Sequence, residues 1–159
     1  MTTSEKLANE LHHSVFGEPW HGAALDVILK DVAYQQAFNR PIKNAHNIAE
    51  LVLHIDAWIQ EALDRLNGKE IGDPSVGDWP PTTDNSEKYW IKLTQQLYDN
   101  TNKLIAAVKN FPAEKFNVIV GSERNAAMGT GYTYEFMISG VLQHNAYHGG
   151  QISLLKKRF

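Results

Sequence analysis

Apolar residues recur along this chain with the three-and-four spacing of helices that bury one face. The first run carries Leu7, Leu11 and Val15. Thr3 and Ser4 read as its capping residues, with Glu5 in the first turn, and Gly17 stops it. Glu18-Pro19-Trp20-His21-Gly22 breaks the chain, and Leu25, Ile28 and Leu29 predict a short helix over about 22–30. After a second break at Asn39-Arg40-Pro41, Asn44 reads as the cap of a long helix to about Leu66. Its inward positions are Ile48, Leu51, Val52, Ile55, Ile59, Ala62, Leu63 and Leu66. Asn67-Gly68 closes it, and a polar connection with several Gly and Pro residues reaches Thr83. That connection is long for a turn between antiparallel neighbours and suits a crossover that leaves its flanking helices parallel. A third long helix is predicted from about Thr83 to Asn110, on Trp90, Leu93, Leu97, Thr101, Leu104 and Val108, with Pro112 as its stop. Residues 113–131 fit least well: 116–120 read as a short strand without a partner, and Gly121, Gly129 and Gly131 read as loop. Thr133 caps a last helix to about Lys157. Four main amphipathic helices predict an all-α four-helix bundle, one domain over residues 1–159.

The last helix carries the chemistry. Met137, Val141, His144, His148, Ile152 and Leu155 step by threes and fours. Two imidazoles therefore share the stripe that should be buried, which is costly unless they find partners. Two His at i and i+4 can chelate one metal ion; alternatively they satisfy each other, or backbone groups, in a polar pocket. A third, His54, lies midway along another long helix beside Leu51 and Ile55, at the edge of its buried stripe or within it. Three imidazoles with an open fourth position form the pattern of a catalytic zinc-type site, although imidazole does not choose among zinc, nickel and iron.

Composition narrows the alternatives. The chain has 159 residues, 43% of them hydrophobic, which is enough for one globular core. A net charge of −3 and the confinement of Lys156-Lys157-Arg158 to a helix end argue against nucleic acid as partner. With no cysteine there is no disulfide framework, Cys-ligated zinc or Cys nucleophile. Met1 to Glu5 shows no signal-peptide pattern and no apolar run reaches membrane-spanning length, so a soluble cytoplasmic protein is expected.

The strings Ala45-His46-Asn47-Ile48-Ala49-Glu50-Leu51-Val52-Leu53-His54-Ile55-Asp56-Ala57-Trp58 and Gln143-His144-Asn145-Ala146-Tyr147-His148-Gly149-Gly150-Gln151-Ile152 resemble the two signature segments of the DinB/YfiT-like family. Trp20-His21-Gly22 resembles a turn found in one branch of it. The resemblance spans nearly the whole chain. It implies a four-helix bundle with two long crossover connections, and a divalent metal held by His54, His144 and His148. It also implies a homodimer. The wider superfamily includes transferases and an isomerase that use small intracellular thiols. A thiol-dependent S-transferase acting on small electrophiles is therefore the leading expectation, with a low-molecular-weight thiol as co-substrate. Metal-assisted hydrolysis and a non-catalytic, metal-stabilised or ligand-binding bundle are the alternatives.

Four further side chains are candidates for catalysis. Glu50 lies one turn before His54 as a general base, although a solvated or helix-pairing role is the simpler reading. Gln151, one turn after His148, could orient a ligand or substrate. Tyr147, next to the pair, could donate a proton or merely pack, and His21 could line the pocket. One Glu-x-x-His pair, Glu10 and His13, is too little for a di-iron bundle. His12, His13 and His46 read as ordinary, Asp56 as facing away from His54, and Trp58, Trp90 and Phe136 as core.

Overall fold

The computed structural model describes residues 1–125 and 130–159. Helix α1 spans Thr3–Phe16, α2 Leu25–Leu29, α3 Tyr34–Phe38, α4 Ile48–Leu66 and α5 Glu87–Lys109. A single 3-10 turn at Ala113–Lys115 leads to strands β1 (Ile119–Asn125) and β2 (Thr130–Thr133), and α6 (Tyr134–Lys156) closes the chain. The four long helices form a ring in which α1 packs on α5, α5 on α4, α4 on α6 and α6 on α1. Leu11, Val15, Ile48, Ile55, Ile59, Leu97, Leu104, Ile138 and Ile152 fill its centre.

Contacts between the helices give their directions. Asn47, at the start of α4, reaches the Phe38 carbonyl, and Phe38 stacks on Tyr89 at the start of α5. Further along, Asp56 of α4 accepts from Gln96 and Asn100 of α5. The two helices therefore run parallel, as the length of the connection between them predicted. Residues 67–86 carry the chain back along α4. Trp58 and His54 of α4 meet His144 and His148 of α6 in reversed order, so α6 is antiparallel to α4. The other long connection, 17–47, carries α2 and α3 and joins helices that are not neighbours in the ring.

Several boundaries differ from the sequence reading. α1 is capped by Thr2, whose side chain accepts from the Glu5 N–H while Glu5 accepts from the Thr2 N–H. The cap of α4 is Asn47, not Asn44, because only Asn47 has a glutamate three residues on to complete the same reciprocal pair. Asn44 instead takes a left-handed turn, with φ of 63°. α5 starts later than Thr83, at Glu87: Asp84 accepts from Ser86, and Ser86 caps through the Tyr89 N–H. The short helix predicted over 22–30 shrinks to α2, and α3 follows it unforeseen. The strand expected within 116–120 begins at Ile119, and it has a partner: β1 pairs antiparallel with β2, Ile119 opposite Thr133 and Val120 opposite Tyr132. Gly121 and Gly131, read as loop, lie within these strands with positive φ. Gly129 lies outside the described residues.

Candidate metal centre

His54 sits on the buried face of α4 and His148 on that of α6, each 6% exposed; His144 is less fully covered. Antiparallel packing of the two helices brings the rings together, with centroids 4.8 Å apart for His54 and His144, 4.7 Å for His54 and His148, and 4.5 Å for His144 and His148. One nitrogen from each lies within 4.8 Å of the others. Of the three rings proposed from spacing, the fold thus assembles all three.

The tautomers follow from their neighbours. His54 Nδ1 is 2.6 Å from the Asp78 carbonyl oxygen, and His148 Nδ1 is 2.6 Å from Gln151 Oε1. Both oxygens accept, so both Nδ1 atoms carry the proton and both Nε2 atoms keep a lone pair. His144 Nε2 lies 2.9 Å from His54 Nε2, and His144 Nδ1 is buried without a hydrogen-bond partner among the described residues. Burial, then the proximity of His148 and His54, lowers His144 to about 3. Burial also lowers His54 and His148, partly offset by the Asp78 and Gln151 contacts. The three imidazoles are therefore neutral near pH 7, the form that ligates metal.

This donor set fits a divalent cation. Three neutral nitrogen donors converge, and two of them are oriented by oxygen acceptors behind the ring, as is usual around ligating histidines. Among the described residues the group has three members, which leaves a coordination position open. That side faces a cavity of about 910 Å³ lined by α4, α6 and the 67–86 connection.

Of the other candidates, Gln151 is at the site and holds His148. Tyr147 packs edge-on against His148 with its ring largely exposed at the cavity rim. Glu50 is engaged elsewhere: it accepts from Arg40, from His46 and from the Asn47 N–H. Burial alone would raise its carboxyl, but these partners together hold it below the usual value. His21 does not line the main cavity. It borders a separate small pocket of about 120 Å³ with Ser14, Asn145 and Ser153, where the buried Asn145 amide has no hydrogen-bond partner among the described residues. Asp56 does face away, towards α5.

Two expectations change. His46, read as ordinary, stacks on Trp79 at 3.6 Å between ring centroids, and Trp79 stacks on His54 at 3.8 Å, so the indole is sandwiched between imidazoles. Trp90 is core, but Trp58 and Phe136 line the cavity, with Phe136 mostly exposed. Asp78 and Trp79 were missed. Asp78 holds His54 through its carbonyl and accepts from Trp58 Nε1 through its carboxylate at 2.7 Å. Their signal was an acid and an aromatic set between Gly77 and Pro80, in a segment that must run back past His54.

The family model of the DinB superfamily matches residues 20–152. The chain belongs to the DinB superfamily. No curated protein and no solved structure matched it. Membership and the three-His group fit a metal-binding protein, and in this DinB-superfamily chain both histidine-bearing segments lie inside the matched range. Among the described residues no helix is long and apolar enough to cross a membrane.

Proposed function

We propose that this DinB-superfamily protein is a divalent-metal-dependent enzyme that joins a small thiol to a small electrophile. Its metal ligands would be His54, His144 and His148. The observation that carries the reading is the open side of a neutral three-His group facing an apolar cavity. A divalent ion held there would lower the pKa of a thiol or a water molecule that reaches it, so no cysteine of the chain is needed. In the transfer, the thiol loses its proton to solvent and its sulfur forms a bond to the electrophilic carbon, while the carbon–leaving-group bond breaks with its electron pair, or in an addition the π bond breaks and its electron pair takes up a proton.

The chain's own residues set the stage for this step. The Asp78 carbonyl and Gln151 hold two rings with their Nε2 atoms turned to the site. Trp58, Met137 and Val141 give the cavity an apolar wall. Tyr147 is the one phenol packed against His148 among the described residues, and it is placed to hand a proton to a departing group. Zinc, nickel and iron all suit the donors. The homodimer and the cytoplasmic setting belong to the same proposal.

Elemental mass spectrometry on protein purified without tag or chelator tests the metal. About one divalent ion per chain is expected, lost in His144→Ala/His148→Ala. Thiol consumption with model electrophiles then tests the reaction. Ester turnover without a thiol would move the assignment to hydrolysis, and protein that neither carries nor takes up metal would overturn it.

A further inference from the structure

The stripe of α4 that holds His54 continues through Trp58 and Glu61 to Arg65, and all four line the same cavity. Arg65 lies three helical turns from His54, but its guanidinium carbon is 6.0 Å from the Trp58 ring, whose centroid is 6.4 Å from that of His144. It is 3% exposed and Glu61 is 1% exposed. Charged side chains this deep against an apolar cavity are costly unless they are used or fully paired.

Their pairing is uneven. Both oxygens of Glu61 are engaged: Oε1 accepts from Arg65 Nε at 2.8 Å and Oε2 from Lys69 Nζ at 2.6 Å. Lys69 is nearer the surface and also has Asp64 at 3.9 Å. The guanidinium is not saturated. It meets Glu61 through one edge only, and Nη2 reaches the Gly72 carbonyl at a long 3.3 Å. Nη1 makes no hydrogen bond among the described residues. A guanidinium is best satisfied by two parallel bonds to a carboxylate or phosphate, and among the described residues no carboxylate makes that pair of bonds with Arg65, although the cation also lies over the Trp58 ring at 6.0 Å.

We propose that Arg65 is an anion-recognition residue for the substrate. The class it selects is a largely apolar molecule with a carboxylate one Trp58 ring beyond the atom that meets the three-His group. The apolar middle of such a molecule lies along Trp58, Met137 and Val141. Glu61 already has two cationic partners, Arg65 and Lys69, so a substrate ammonium at this end would add a third positive charge beside one carboxylate. The inference rests on the proposed metal site only for the direction in which the molecule lies.

The test is calorimetric titration of the zinc-loaded protein with 6-mercaptohexanoate and with same-length thiols ending in an amide or an amine. The carboxylate is expected to bind at least about tenfold more tightly than the amide, the scale of a charged hydrogen bond, and the amine more weakly still. Arg65→Met should abolish that preference, and Arg65→Lys should keep part of it. Where Arg65→Met does not fold, the three ligands on the unaltered protein decide alone. Hexanoate against hexanamide on zinc-free protein separates the two proposals. A retained carboxylate preference without zinc uptake would sink the metal reading and keep this one. Equal binding of acid and amide, tighter binding of the amine, or no binding of any chain would overturn it.

Discussion

His144 has the most strongly displaced proton equilibrium of the three rings. In the folded chain it stays neutral down to about 3, whereas an unfolded imidazole takes its proton near ~6.5. Between those values the unfolded chain binds more protons, so the metal-free protein loses stability as pH falls from ~6.5. His54 and His148 are displaced the same way and steepen the loss. Urea midpoints near about pH 7 and about pH 5 should therefore differ, the acid one lower, and His144→Asn should narrow the gap. Equal midpoints in the metal-free protein would show that burial does not hold the ring neutral. His144 and His148 were legible because a helix converts spacing into a shared face. Asp78 and Trp79 were not, because a connection without periodicity does not reveal which way its side chains turn. Arg65 was legible in principle, as a charge on the stripe of His54, but a charge there reads more simply as a solvated edge.

At the scale of the element, α6 supplies both a pair of rings and the side chain that orients one of them. Gln151 sits one turn beyond His148 and fixes its proton on Nδ1. Gln151→Leu is expected to weaken metal binding about tenfold or more while the helix stays intact. Competition with a chromophoric chelator measures the first and circular dichroism the second. Gln151→Glu keeps an accepting oxygen and should keep most of the affinity; affinity unchanged in Gln151→Leu would remove Gln151 from the site. The helices themselves were legible from periodicity, and their ends less so. Asn44 and Asn47 are chemically the same cap, and the choice depends on Glu50 reaching back. The β pair was missed because β2 runs directly into the cap of α6, and Thr130-Gly131-Tyr132-Thr133 carries no apolar alternation.

Across the whole molecule, the crossover between α4 and α5 does two jobs. It makes those helices parallel, and it lays Asp78 and Trp79 against His54 on its way back. The parallel pair is keyed by Asp56, whose carboxylate takes an amide from Gln96 and another from Asn100. The crossover was legible from its length, but the ring order of the helices was not, since many bundles share one pattern of apolar stripes. His54 and His144 are 90 residues apart in the chain. Contacts so distant form only after intervening loops have closed, so coordination belongs to the last events of folding. An ion that grips only the finished bundle acts on the rate of escape from it rather than the rate of arrival. In stopped-flow experiments the metal should lengthen the unfolding half-life and leave refolding near its metal-free rate. Refolding hastened by metal would mean that His144 and His148 capture the ion on α6 alone, before α4 docks.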